Sequence, residues 1–426
     1  MAWLRRIIIA ILILTLLFTA AEFAWLGSED VNGALTYAGR LNGALLLLAT
    51  AVVLTALVAY VEHLFSQTQL RGFACAVVVV GITLSLIVNL TLLALQIESR
   101  SYTPYRWIWA SLTGSSLLLL ICFHLQHRNG HVVIPMPKTI AIGAVIATII
   151  AAANFGYTQI YQPYSIPASV STTVEVGKAK VANGKVTLPV RVKTKNTGHV
   201  SVYTLGSLFQ VTARYSIYTD PSRTKEEWLQ DINDGQPVLH RHGDESKQTY
   251  DLLAQGRFAR PGRKLNPGTE VTTDSIVQFP SNRPYEVINA TADMVYLRAD
   301  RAVLISSLYA RSGRSSWHKN KTHAEEIEAP KWVAKDGTET FKYQSRIVHS
   351  NAFLEYTRSP RYATLWWVLE EPSESWNGPF LVAKISSSEK VNSEPDATEP
   401  QRLTDEYGLD NSSSGRTQKD MKQLIN

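Results

Sequence analysis

A chain of 426 residues is long enough for two or three domains. Its 42 basic and 36 acidic residues give a net charge of only +6 and form no dominant basic face, which argues against nucleic acid as a partner. The two cysteines, Cys75 and Cys122, lie in apolar runs, so the C-terminal half has to fold without disulfides. A domain of this size without disulfides favours a bacterial cell surface over a eukaryotic secreted protein.

Five apolar runs near the N-terminus are each long enough to cross a membrane, which takes about 20 residues. They predict a transmembrane domain at 1–162, with helices at about 7–26, 41–61, 73–97, 107–125 and 140–161. The bias of Arg and Lys between the connecting segments predicts a cytoplasmic N-terminus, so five crossings place the rest of the chain outside. Alternatively, the first run is a cleaved signal peptide, which leaves four helices and the same placement of the C-terminal half.

The predicted helices carry few polar groups at mid-depth. Glu22 and Glu62 lie near predicted helix ends, and Asn89 is the main polar side chain deep in the third helix. We interpret Asn89 as an interhelical hydrogen-bonding group, with a place in a transport pathway as the alternative. Small residues at four-residue spacing, such as Gly39 and Gly43, favour close helix packing and allow homo-oligomers through the helices. The two cysteines are interpreted as small apolar residues, with a redox or metal pair as the alternative.

From residue 171 onward, apolar and polar residues alternate with the period of a strand. Asn183-Gly184 predicts a two-residue hairpin, and 225–232 predicts one short helix. Further strands are predicted at 200–218, 270–279, 287–297, 302–309, 346–356 and 362–369. Many short strands separated by turns predict an all-β, antiparallel sandwich at 163–385. The polar composition that follows predicts a disordered tail at 386–426.

Two turn patterns in this half are shared with a known class of domain. Residues 190–198 read Val-Arg-Val-Lys-Thr-Lys-Asn-Thr-Gly, and Leu265-Asn-Pro-Gly precedes a strand that ends at Phe279. Over about residues 174–297 the chain resembles the Ig-like ectodomains of bacterial multi-pass membrane proteins. The resemblance implies an Ig-like sandwich that serves as an accessory or binding module, and it implies no catalytic site.

One loop contains residues that could ligate a metal, namely His240, His242 and Asp244. Alternate histidines with carboxylates can bind zinc, and this loop resembles the His-x-His-x-Asp-His loop of metallo-β-lactamase-like hydrolases. Glu245 stands where that motif has its last histidine, and the helices of that scaffold are scarce here. The neighbouring residues are those of a solvated surface loop, so we predict no metal, no cofactor and no catalysis.

Two other features carry weaker signals. The basic loop at 311–321 could contact anionic polymers or lipid headgroups, but we interpret it as an ordinary solvated loop. In the apolar run around Trp366 and Trp367, we predict that one ring is buried and the other is exposed.

Together these patterns predict a multi-pass plasma-membrane protein that presents an extracytoplasmic sandwich for binding or assembly at the cell surface. The expected partners are the lipid bilayer, a protein or cell-envelope component, and a second copy of the chain. One alternative is an extracytoplasmic metal-dependent hydrolase that uses His240 and His242. The other is a transporter or channel component with Asn89 in its pathway.

Overall fold

The structure is a computed structural model of the chain, and it divides into two compact units. It describes residues 2–66, 72–99, 102–128, 157, 166–215, 224–233, 249–305, 314–315, 330–333, 338–370, 378–387, 402 and 405–425. The helical unit contains Met1–Ile166, Asp300–Val303 and Ile347–Arg361. The β unit contains Pro167–Ala299, Leu304–Arg346 and Tyr362–Asn426. Two internal segments of the predicted β domain, Asp300–Val303 and Ile347–Arg361, therefore belong to the helical unit.

Four long helices form most of the helical unit. They are α1 (Ala2–Gly33), α2 (Tyr37–Ser66), α3 (Gly72–Glu98) and α4 (Arg106–Arg128). Each contains a stretch that is long and apolar enough to cross a membrane: Arg6–Gly33, Tyr37–Glu62, Cys75–Glu98 and Arg106–Leu125. The described residues thus contain four candidate spans rather than the five predicted. The predicted helix at 140–161 lies outside them, apart from Tyr157.

Helix α1 contacts each of the other three long helices, as does α3. Its buried face includes Leu16 and Phe23, which join a hydrophobic cluster with residues of α2, α3 and α4. Small residues let α1 and α2 approach closely, since a Cβ placed on Gly27 would lie 2.9 Å from the carbonyl oxygen of Gly43. By contrast, no described atom lies within 4 Å of a Cβ placed on Gly114.

Two antiparallel sheets form the first part of the β unit. One has β3 (Lys185–Asn196) at its centre, with β1 (Val170–Val176) and β2 (Lys180–Ala182) on one side and β7 (Glu270–Pro280) on the other. The second contains β4 (Val202–Tyr215), β5 (Thr249–Gly256), β6 (Lys264–Leu265) and β8 (Val287–Arg298). In the second sheet β4 pairs with β8, and β5 and β6 both pair with β4. These pairings confirm the predicted antiparallel β structure.

Local sequence explains the shape of these strands. The β2–β3 hairpin turns at Asn183 and Gly184, which have φ values of 50° and 72° as the predicted turn requires. Alternate residues of β3, such as Val190, are buried in a cluster that also includes residues of the second sheet, such as Val211. The predicted short helix is α5 (Lys225–Asn233), and a reciprocal pair of hydrogen bonds between Thr224 and Glu227 caps it.

A third sheet follows β8 in the sequence. Its strands are β9 (Ala302–Leu304), β10 (Arg314–Ser315), β11 (Glu339–His349), β12 (Arg361–Glu370) and β13 (Phe380–Ser386). Trp366 and Trp367 on β12 are only 1% and 2% exposed, so the prediction that one ring is exposed is wrong. The reason is that both faces of β12 are covered. The Trp366 ring packs among Val333 and Val368, while Trp367 donates a hydrogen bond to the Ser207 carbonyl at 3.1 Å.

The C-terminal residues extend the second sheet. Strands β14 (Asp410–Ser413) and β15 (Thr417–Asp420) pair antiparallel with β8, and α7 (Met421–Ile425) follows. The predicted disordered tail is therefore wrong over 410–425, while 388–401 lies outside the described residues. Although this segment is polar, its few apolar side chains are spaced to reach the core: Tyr407, Leu409, Met421 and Leu424 are all less than 10% exposed.

Candidate functional site

The helical unit includes a segment that comes from between β11 and β12, and we call Ile347–Arg361 the docked segment. The sequence predicted a strand over 346–356, but β11 ends at His349 and a short helix, α6 (Ala352–Thr357), begins three residues later. The side chain of Asn351 caps this helix by accepting a hydrogen bond from the Leu354 N–H at 2.9 Å. Phe353 is 6% exposed and belongs to the hydrophobic cluster of α1–α4, which explains why a helix replaces the strand here.

Hydrogen bonds tie the docked segment to the turn between α1 and α2. A carboxyl oxygen of Asp30 accepts a hydrogen bond from the Ala352 N–H at 2.5 Å. The Leu35 N–H donates to the Ser350 carbonyl at 2.9 Å. The other oxygen of Asp30 is buried and has no hydrogen-bond partner among the described residues. Asp30 therefore acts as an acceptor for a backbone group that would otherwise be buried without a partner.

The turn between α3 and α4 holds the other end of the docked segment. The Thr103 hydroxyl donates to the Tyr356 carbonyl at 3.0 Å, and Gln96 donates to the same hydroxyl at 2.5 Å. Arg358 lies 3.8 Å from the Glu98 carboxylate. The docked segment thus joins the α1–α2 turn and the α3–α4 turn at the same end of the helical unit.

Aromatic rings pack beneath these hydrogen bonds. The Tyr356 ring lies 4.3 Å from the Trp25 ring and 5.6 Å from the Tyr105 ring, measured between centroids. Burial raises the pKa of the Tyr356 phenol, and the negative charges of Glu29 and Glu355 raise it further. Tyrosine and tryptophan side chains at one helix end are typical of a membrane–water interface.

One helical turn before Trp25 on α1, the Glu22 carboxyl group lies in the interior of the helical unit. The indole N–H of Trp109 donates a hydrogen bond to Glu22 Oε1 at 2.7 Å, and the Asn89 side chain lies close to the Glu22 carboxyl group. The prediction that Glu22 lies near a helix end is wrong, because α1 continues for about 16 Å beyond it to Gly33. Glu22 Oε2 is buried and has no hydrogen-bond partner within the ranges that the structure describes.

Hydroxyl groups continue this polar track along the helices. Thr19 and Ser116 both hydrogen-bond to the Ser85 hydroxyl, at 2.7 Å and 2.9 Å. One turn further, the Thr15 hydroxyl donates to Ser115 at 2.9 Å. We call Glu22, Trp109, Asn89 and these five hydroxyl residues the polar track. Of these groups, sequence analysis singled out only Glu22 and Asn89, although Thr15, Thr19 and Glu22 fall on one helix face by their spacing of four and three.

Asn89 is fully buried, and its amide donates to the Ser85 carbonyl of its own helix at 2.8 Å. This bond lies within α3, so the interpretation of Asn89 as an interhelical hydrogen-bonding group stays a prediction. The Asn89 carbonyl oxygen is buried without a donor in the described part of the chain. The polar track therefore contains two acceptor atoms, one on Glu22 and one on Asn89, that lack a donor among the described residues.

The structure does not test the predicted metal loop. His240, His242, Asp244 and Glu245 lie outside the described residues, as does the basic loop at 311–321 apart from its residues in β10. Where the structure is described, no group of three or more His, Cys, Asp or Glu side chains is arranged to hold a metal. Cys75 and Cys122 are free thiols.

Comparisons with known proteins do not identify the function of this chain. No family model matches the chain, and no curated protein matches it. Among solved structures, the chain has a match to a protein described as ApaA from Bordetella pertussis, at 11% identity and a TM-score of 0.18. That match covers 32% of this chain and 84% of the other. With so low a TM-score, it supports no argument about fold or function.

Proposed function

We propose that this chain is a multi-pass plasma-membrane protein that presents an extracytoplasmic, Ig-like β-sandwich for binding or assembly at the cell surface, without catalysis. In this proposal the N-terminus is cytoplasmic, and α1–α4 together with the predicted helix at 140–161 cross the lipid bilayer five times, so that the β unit lies outside. Contacts between helices allow homo-oligomers. The partner of the β unit is a protein or another component of the cell envelope.

The order of the strands carries this proposal. The first sheet has the strand order β1–β3–β7. The second sheet has the order β14–β8–β4–β5, and β15 also pairs with β8. Immunoglobulin-type domains place their A, B and E strands in one sheet and their G, F, C and C′ strands in the other. The strands here follow that order if β8 corresponds to strand F and β14 with β15 to strand G. The hydrophobic cluster that contains side chains from both sheets further supports a sandwich.

One edge of the first sheet suits a binding partner. Strand β7 is 11 residues long and pairs with β3 on one side, with no strand on its other side among the described residues. An open edge of this length can accept an extended segment of another protein through main-chain hydrogen bonds. Ile276, in the middle of β7, is 70% exposed and would provide an apolar contact beside that edge.

The rest of this sheet face is typical of a solvated surface. Arg191 forms an ion pair with Asp274 at 2.6 Å, and Lys193 forms one with Glu175 at 2.7 Å. The guanidinium of Arg191 lowers the pKa of the Asp274 carboxyl. Exposed ion pairs of this kind add little to stability, so the polar face leaves Ile276 as the distinctive contact point.

The proposal can be tested by placing a photo-cross-linking amino acid at position 276 of the full-length protein in its native membrane. We expect a discrete cross-linked adduct of increased mass at this position. The matched control is position 425, where Ile425 is also apolar and 46% exposed but lies away from β7 in the sequence and in the sheets. Absence of an adduct at position 276, or equal adducts at both positions, would contradict binding at this edge.

A further inference from the structure

We propose that the Glu22 carboxyl is a proton-binding site within the helical unit and that it holds a proton at neutral pH. This goes beyond the binding role proposed for the β unit, because it assigns a ligand, the proton, to the membrane half. Three observations carry it: where Glu22 lies, which groups surround it, and which atoms of the polar track lack hydrogen-bond partners.

The position of Glu22 disfavours a negative charge. It lies on α1 within the stretch Arg6–Gly33, which is apolar enough to cross a membrane. Phe23 and Leu26, which lie near Glu22 on α1, belong to the hydrophobic cluster of the helices. Its hydrogen-bond donor, Trp109, belongs to the same cluster. An ionised carboxylate without a counter-charge is far more costly in such surroundings than a neutral carboxyl group.

Among the described residues, the groups around Glu22 supply no counter-charge. Its hydrogen-bond partner is the Trp109 indole, which can only donate, and the Asn89 amide close to it is neutral. The charged residues on the helices packed against α1 include Arg40 and Glu62 on α2, Glu98 on α3, and Arg106 on α4. Within the described ranges, none of these four residues forms an ion pair with Glu22, because Glu22 Oε1 is bonded to Trp109 and Glu22 Oε2 has no partner. Arg106, which is closest to Trp109 in sequence, instead lies 5.5 Å and 4.9 Å from the ring centroids of Tyr102 and Trp107.

Buried acceptor atoms in the polar track require one more hydrogen-bond donor. Glu22 Oε2 and Asn89 Oδ1 are both buried acceptors without a donor in the part of the chain that the structure describes. A proton bound to the Glu22 carboxyl group turns one of its oxygens into a hydrogen-bond donor. Asn89 Oδ1 is an acceptor in the same cluster that can receive a hydrogen bond from such a donor. The hydroxyls of Thr19, Ser85 and Ser116 extend the cluster by one helical turn, so the proton would bind at one end of a hydrogen-bonded track.

Infrared spectroscopy of the full-length protein in lipid vesicles tests this directly, because the C=O stretch of a protonated carboxylic acid is distinct from the bands of a carboxylate. At pH 7 we expect a carboxylic acid band that shifts when the protein is labelled with ¹³C-glutamate. The band should be lost in Glu22→Gln and retained in the control Glu29→Gln, whose side chain is exposed on the same helix. Labelling with ¹³C-aspartate should leave the band unchanged, which separates Glu22 from the buried Asp30.

The labelled wild-type protein keeps the test decisive even if Glu22→Gln fails to fold. Absence of a glutamate-derived acid band at pH 7 overturns the proposal, as does a band that persists in a folded Glu22→Gln variant. A glutamate carboxylate band that changes when Na⁺ or K⁺ is removed would make Glu22 a metal-cation ligand, and this also overturns the assignment of a proton.

Discussion

Replacing Leu424 with alanine should destabilise the C-terminal edge of the β unit, whereas the same change at the next residue should not. Leu424 is 4% exposed and belongs to the core cluster, while Ile425 is 46% exposed. The Leu424 carbonyl also accepts a hydrogen bond from the Ala179 N–H at 2.8 Å, which fixes the end of α7 beside β2. A buried Leu→Ala change costs about 2–5 kcal/mol, and we expect about 2 kcal/mol because α7 is short and can relax.

Hydrogen–deuterium exchange of the full-length protein measures this effect. A loss of about 2 kcal/mol corresponds to about 30-fold faster exchange of the amides of β15 and of the β8 residues that pair with it. Ile425→Ala should remain within about 0.5 kcal/mol of the wild type, which is a change of less than about threefold. Equal exchange in both variants, or no acceleration in Leu424→Ala, would refute the role of α7 in the core.

The same reasoning predicts the result of removing the whole C-terminal segment. Deletion of 386–426 removes four buried apolar side chains: Tyr407, Leu409, Met421 and Leu424. At about 1.5–3 kcal/mol each, their loss amounts to about 6–12 kcal/mol, similar to the entire stability of a typical domain. We therefore expect a chain that ends at residue 385 to lose the protection of β8, even though the sequence suggested that 163–385 is a complete domain.

Two further predictions concern the helical unit. A reporter that is active only outside the cytoplasm should be inactive when fused after Arg128 and active when fused after Tyr164. The reason is that the Arg and Lys bias places the N-terminus inside and the predicted helix at 140–161 makes the fifth crossing; the reverse pattern would overturn the proposed orientation. Asp30→Ala should leave the Ala352 N–H without its acceptor, at a cost of about 1–3 kcal/mol, so amides of α6 should exchange about 5- to 150-fold faster. Glu29→Ala is the control for this change, since Glu29 is exposed, and an equal effect of both variants would show that Asp30 does not hold the docked segment.

The features that the sequence determined are those that depend on neighbouring residues alone. The four apolar stretches are visible because a membrane span needs only length and composition, and the predicted positions of all four lie within α1–α4. Strand β3 and the turn at Asn183 and Gly184 follow in the same way from alternation and from local backbone preference.

The features that only the tertiary structure decided depend on what covers each face. The burial of both Trp366 and Trp367 requires a layer on each side of β12, and the ordering of the C-terminal strands requires an open edge on β8. Ala352 and Phe353 form part of a helix rather than a strand because the core of the helical unit offers them a site. Similarly, Glu22 becomes an interior residue because Trp109 and Asn89 face it from other helices. Such contacts join residues far apart in the chain, so no local pattern in the sequence predicts which partners meet.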